Sequence, residues 1–319
     1  MHDEARTYEV LRGTRRRRLH RGCVLSLFVF GLMFIAGTNI AWAQSLNWEG
    51  QTGIFVTPLA YTAPSTRQGL GLPVVAYHYL NAGEVIGGFH QASITEGAFD
   101  RIEFGYTRSI HQAGGTAGLS SLWSGGFNAF HGKLNVLPEN TARQKWLPAV
   151  SVGFVARSQV RNVGGVIESR ETTNADFYAV ATKSVTQLRK LPLVFNLGYK
   201  ATNASLLGLA GNAPAYRGRL FGAAAVVLRG PARSTVVLAS EFLQEPSSIQ
   251  HLEGAVIPTT ITYAARIVPS GAFFSGKGWN AERPKFSFDF GVAQVAGNIL
   301  PGVNLHARHQ FALGISYGL

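Results

Sequence analysis

The residues best placed for chemistry are histidines and serines on stretches that alternate polar and apolar side chains. A serine nucleophile needs a histidine base within hydrogen-bond reach. His90 and Ser93 stand three apart. In an extended chain that odd spacing sends them to opposite faces. His78 shares the parity of Ala76 and Leu80, so it meets only a residue of a neighbouring strand. His131 and Ser124 are no better placed. The chain has no G-x-S-x-G elbow and no H-E-x-x-H pair. The one cysteine is Cys23, and the histidines are scattered rather than set at metal-ligand spacing. No aspartate-rich calcium loop is present, and Val163-Gly164-Gly165 lacks the strand-to-helix setting of a phosphate cradle. The expectation is no catalytic residue, no cofactor and no metal. A lipid hydrolase built on His78 or His90 is the alternative.

The second group is a set of charges at one parity: Arg101, Glu103, Arg157, Lys200, Glu241, Arg266, Asp289 and Arg308. Charges on one face of successive strands have two uses. They can pair, fill a narrow barrel and fix its register. They can also line a pore, where an excess of basic groups favours anions.

What must position these groups is legible in composition. Charged residues are 14% of the 319, against about a quarter in an average soluble domain. Glycine numbers 37 and mean hydropathy is +0.10. So apolar a chain is not a disordered one. A single long apolar run is too few for a helical membrane bundle. One cysteine excludes a disulfide-stapled domain.

That run, Val24 to Gly37, follows Arg15–Arg18 and Arg21 and precedes Ala41-Trp42-Ala43. A basic region, a short apolar core and an A-x-A site form a secretory signal. The core is shorter than the ~20 residues needed to span a bilayer. Cleavage after Ala43 is expected, with export by the general route. The mature chain then keeps 22 basic and 14 acidic residues, a net charge of +8, and no cysteine. Export makes nucleic acid an unsuitable partner for that charge.

Beyond the signal the chain alternates with period two, the mark of strands with two unlike faces. Ile102, Phe104 and Tyr106 oppose Glu103, Gly105 and Thr107; Leu193, Phe195, Leu197 and Tyr199 oppose Asn196, Gly198 and Lys200; Phe286, Phe288, Phe290 and Val292 oppose Ser287, Asp289 and Gly291. The pattern predicts strands near 72–81, 84–94, 97–109, 124–136, 146–158, 175–187, 191–202, 217–229, 233–243, 258–268, 285–296 and 305–319. Their lengths suit a bilayer crossing of about 9–11 residues better than ordinary strands of about 5–6. The expected fold is all-β: a transmembrane antiparallel barrel of about twelve strands, with ten or fourteen as alternatives.

Phe311, Leu313, Ile315, Tyr317 and Leu319 alternate to the C-terminus. This resembles the terminal-strand signal read by the outer-membrane insertion machinery of Gram-negative bacteria, with Leu319 in place of the usual phenylalanine. In a soluble protein it would be a long exposed apolar edge, which such proteins avoid. Barrels of this kind keep short turns on the side of their termini and longer loops opposite. Connections 269–284 (too long) and 81–84 (too short) depart from that rule, leaving either local features or a strand count off by two. Residues 48–64 are either an extra strand or a plug in the lumen, and Pro58 argues against a central strand. The apolar stretch Leu206 to Ala215 either folds into the mouth or packs on a partner.

The stretches Leu80-Asn81-Ala82-Gly83-Glu84-Val85-Ile86-Gly87-Gly88-Phe89-His90, Glu103-Phe104-Gly105-Tyr106-Thr107-Arg108, Trp123-Ser124-Gly125-Gly126-Phe127, Phe154-Val155-Ala156-Arg157 and Ala204-Ser205-Leu206-Leu207-Gly208-Leu209-Ala210-Gly211-Asn212 resemble an uncharacterised family of proteobacterial outer-membrane proteins. The resemblance runs over nearly the whole mature chain, although Ser270 to Pro284 is longer than the family pattern. It implies an outer-membrane barrel and supplies no activity or site residue. The expected organisation is a signal at 1–43, a periplasmic or plug-like segment at 44–70 and the barrel at 71–319. The expected function is a narrow, porin-like channel for a small solute. The alternatives are a lipid-modifying enzyme or a structural anchor whose loops bind envelope partners. Expected partners are outer-membrane lipid, the insertion machinery and the solute.

Overall fold

The alternating stretches close into one sheet. The computed structural model describes residues 45–123, 125–160, 172–186, 191–231, 234–250, 253–269, 286–294, 298–300, 303–304 and 310–319. The signal region 1–43, Ser124, Arg308 and most of 269–284 lie outside the described residues. The strands are β1 (Val74–Asn81), β2 (Gly87–Ala98), β3 (Ile102–Ala113), β4 (Phe127–Leu137), β5 (Ala149–Val160), β6 (Thr172–Val185), β7 (Leu193–Ala204), β8 (Asn212–Arg229), β9 (Thr235–Leu243), β10 (Thr260–Val268), β11 (Phe286–Gln294), β12 (Asn298–Leu300), β13 (Val303–Asn304) and β14 (Gln310–Gly318). Twelve of them form a closed antiparallel barrel, and β12 and β13 make a separate hairpin between β11 and β14.

Each sequential pair is antiparallel, and β1 closes on β14 in the register Val74↔Gly318 to Leu80↔Ala312. Closure removes the sheet edge that the apolar terminal strand would otherwise present. The count is twelve, so the short β1–β2 connection and the long β10–β11 connection are local features. Boundary differences reach five residues at β3, which begins at Ile102 rather than 97, and at β8. Strand β8 begins at Asn212, five residues before the alternation suggests, and pairs Ala204↔Asn212 beyond a register shift.

The two faces are inverted relative to a soluble protein. Outward side chains such as Phe104, Phe130, Phe154, Leu197, Tyr199 and Phe290 are large, apolar and exposed. Inward positions carry His78, Thr107, Lys133, Ser151, Asn196 and Arg266, all buried. This is the distribution of a barrel standing in lipid, where backbone groups pair strand to strand and the outer belt is apolar. Among the described residues no helix is long and apolar enough to cross a membrane.

Twelve strands about 4.8 Å apart and tilted about 40° enclose a backbone circle of about 24 Å diameter. Wall side chains alone do not fill such a width, because many inward positions are small. At Gly198 the ring of Phe221 from β8 occupies the space, and a Cβ there would stand 2.1 Å from it. The remaining volume holds residues 45–63.

Candidate functional site

Residues 45–63 carry no strand-like alternation and join no strand of the barrel; their own isolated bridges are Leu46↔Thr52 and Gly53↔Pro58. Asn47 organises the first turn, its Oδ1 accepting from the amides of Glu49 (3.1 Å) and Gln51 (2.9 Å). Gly50 takes φ +83 within that turn, against Thr107 and Ser93 of the wall, where no side chain fits. Polar contacts then radiate to strands all round the barrel. Thr95 of β2 donates to Gly50 O (2.5 Å), Thr107 of β3 to Glu49 O (2.9 Å) and Asn196 of β7 to Pro58 O (3.0 Å). Gln51 donates to Tyr178 Oη of β6 (2.8 Å), Ser45 to Ser287 of β11 (2.6 Å) and the Leu46 amide to Ser316 of β14 (3.3 Å). A segment touching opposite walls lies inside the barrel.

The charged wall residues hold its backbone. Glu241 of β9 accepts from the amides of Phe55 (3.2 Å), Val56 (3.1 Å) and Thr57 (2.9 Å) and from Thr57 Oγ1 (2.7 Å). Glu103 of β3 accepts from the amides of Thr52 (3.0 Å) and Ala63 (2.7 Å) and pairs with Lys133 of β4 at 2.9 Å. Lys133 Nζ also donates to Thr52 O and Leu59 O, each at 3.1 Å. Arg266 of β10 donates to Gly53 O (2.8 Å) and Ile54 O (2.6 Å) while pairing with Asp289 of β11. Arg157 of β5 joins Glu49 of the segment to Asp176 of β6. Lys200 of β7 stands 3.6 Å from both Asp176 and Glu245. Buried charges need such partners, because an unpaired one is strongly disfavoured in a low dielectric.

Six of the eight charges picked out by parity are therefore buried inside, as strand positions or pair partners around this segment: Glu103, Arg157, Lys200, Glu241, Arg266 and Asp289. Arg101 differs. It lies in the turn before β3, exposed, with its guanidinium on the carbonyls of Asn135 and Val136. Lys133 and Asp176 escaped the sequence reading, although the alternation His131-Lys133-Asn135 against Phe130-Leu134-Val136 carries the signal for the first. With them the buried charges on barrel strands are Lys133, Arg157, Lys200 and Arg266 against Glu103, Asp176, Glu241 and Asp289. These buried strand charges balance, four against four, and supply no basic excess that would favour anions. Phe311, Leu313, Ile315, Tyr317 and Leu319 lie along or just past β14, on the outward face opposite buried Ala312 and Ser316.

The histidines make no catalytic pair among the described residues. His78 packs inside against Trp48 (6.3 Å between ring centroids) and Phe55 (5.9 Å), with neither ring nitrogen hydrogen-bonded. His90 points outward, held by Tyr77 Oη at 2.5 Å, while Ser93 points inward to Thr107 at 2.8 Å. His131 Nε2 approaches Thr95 Oγ1 at 3.4 Å. No group of His, Cys, Asp and Glu among the described residues is arranged to hold a metal ion.

No family model matches the chain, and no curated protein matches it. Two solved structures are similar in fold, a KdgM porin and a "KdgM porin in complex with disordered oligogalacturonate". Each is 10% identical and covers 77% of this chain and 99% of its own; the TM-scores are 0.43 and 0.42. At that distance the likeness carries no argument about function.

Proposed function

We propose that this chain is a narrow, porin-like channel of the Gram-negative outer membrane, closed in the described state by residues 45–63. One observation carries the reading. The interior is filled by a separate stretch of chain, held through side chain-to-backbone hydrogen bonds, rather than by the wall's own side chains. A barrel meant only as an anchor can be filled from its walls, as smaller barrels are. A width of about 24 Å filled by a segment that joins no strand of the wall suits passage of a solute. The signal at 1–43, cleavage after Ala43, recognition of the C-terminal strand by the insertion machinery and the 44–70 and 71–319 division belong to the same proposal. Membership in the proteobacterial family that the sequence resembles does too. The structural-anchor reading is the rival.

Planar-bilayer recording of the mature protein and of a variant lacking residues 45–63 tests the proposal. The full chain is expected to be mostly closed. The deletion variant is expected to conduct steadily, with anions and cations passing about equally because the buried wall charges balance. A deletion variant that still shifts between boiled and unheated gel lanes, yet stays electrically silent, overturns the channel.

A further inference from the structure

The outward face of the barrel carries few charges. Among the described strand positions they are Glu96 and Lys183, toward the rim where β1 begins and β14 ends, and Arg108, toward the opposite rim. Lys183 has Glu139 at 3.0 Å. Arg108 is half-buried, and among the described residues its guanidinium meets only neutral oxygens: Asn128 Oδ1 at 3.1 Å and Gly125 O at 3.0 Å. Tyr106 Oη donates to the same Asn128 oxygen at 2.6 Å. The guanidinium is thus oriented, its charge is uncompensated, and it keeps N–H donors to spare.

Its depth is interfacial. Arg108↔Asn128 is the next-to-last pair of the β3–β4 ladder, before Ser109↔Phe127 and the long connection 114–126. Long connections mark the outer side of such barrels. Outward positions around it include Tyr77 of β1, His90 of β2, Tyr106 and Gln112 of β3 and Asn128 of β4. The His90 ring is held there, with Nδ1 at 2.5 Å from Tyr77 Oη and Nε2 at 3.2 Å from Gln112 Oε1. Tyrosine gathers where acyl chains give way to headgroups.

A charge that faces lipid calls for a partner and marks a functional site. The buried wall charges have partners within the chain. Arg108 takes its own from the bilayer. The anion at headgroup depth is phosphate, which a guanidinium binds through paired N–H donors. We propose that Arg108 binds the phosphate of a phosphorylated glycolipid in the outer leaflet, with His90, Gln112 and Asn128 beside it for the hydroxyls of the sugar that carries the phosphate. The site rests on the outer-membrane placement proposed above and not on conduction.

Native mass spectrometry of the protein purified in one detergent, titrated with lipid A bearing two phosphates and with the same lipid stripped of both, tests this. Saturable binding of the phosphorylated lipid is expected, at least about tenfold tighter than that of the stripped one. Arg108→Gln should weaken the phosphorylated lipid about tenfold to a hundredfold, the worth of one hydrogen bond to a charged group, and leave the stripped lipid within about twofold. The heat-dependent gel shift confirms that the variant folds. Equal affinity for the two lipids, or an Arg108→Gln effect equal on both, overturns the proposal. Displacement of the lipid by millimolar inorganic phosphate does so too, since it assigns the site to a free anion. A conducting deletion variant without phosphate-dependent lipid binding sinks the site and leaves the channel. Binding beside a silent deletion variant does the reverse.

Discussion

The clamp at Glu241 allows the sharpest quantitative prediction. Its carboxylate receives three successive backbone amides and one hydroxyl, from Phe55 to Thr57, at 2.7–3.2 Å. The alternation that points Glu241 inward also buries it, at 1% exposure. Glu241→Ala removes the acceptor and leaves four buried donors without it. At a net 0.5–1.5 kcal/mol for each hydrogen bond, the held state loses about 2–6 kcal/mol relative to a released one. That converts to a roughly 30-fold to 10⁴-fold rise in the released population. Residues 44–319 contain no cysteine, so in a protein of those residues Leu59→Cys, at a position fully buried in the segment, is a unique reporter. Its labelling by an aqueous maleimide should accelerate by that factor when Glu241→Ala is added. The gel shift of the barrel should not change, since the backbone ladder of β8, β9 and β10 stays intact. Labelling rates within threefold of each other would refute the claim that Glu241 holds the segment.

Lys133→Met should destabilise the folded protein by about 3–5 kcal/mol, because it strands the buried Glu103 carboxylate 2.9 Å from the lost ammonium; a lowered midpoint for loss of the gel shift on heating checks this. Glu245, in the connection after β9, is buried with no hydrogen-bond partner on either oxygen. Burial pushes its carboxyl up to about 7, with Lys200 opposing the rise and Asp176 adding to it. A raised acid binds its proton more tightly in the folded chain, so its contribution is full below about 4.5 and is lost as pH climbs through about 7. Thermal midpoints between pH 4.5 and 8 should therefore fall for the wild type relative to Glu245→Gln, and parallel profiles would contradict the assignment.

Much of the barrel is legible from spacing because strand geometry is local. A period of two sends Phe104, Phe130 and Phe154 to one face and Glu103, Lys133 and Arg157 to the other, whatever the rest of the chain does. The same rule separates His90 from Ser93. Arg101 shows where parity stops: the chain turns at Asp100 with positive φ, and the side chain stays at the rim. The early start of β8 was hidden because Leu206 to Ala215 is apolar without alternation until it pairs with Ala204.

The sequence by itself determined the face of each strand, the approximate place of each crossing and the apolar terminal strand, because these follow from backbone geometry and side-chain type within a few residues. Only the tertiary structure decided what those inward charges hold. Glu103, Lys133, Glu241 and Arg266 hold main-chain groups of residues 45–63, distant by 186 positions for Phe55 and Glu241 and 213 for Gly53 and Arg266. Backbone amides and carbonyls leave no mark in a side-chain pattern, and Glu241 can find three of them together only once the closed sheet surrounds the segment that carries them.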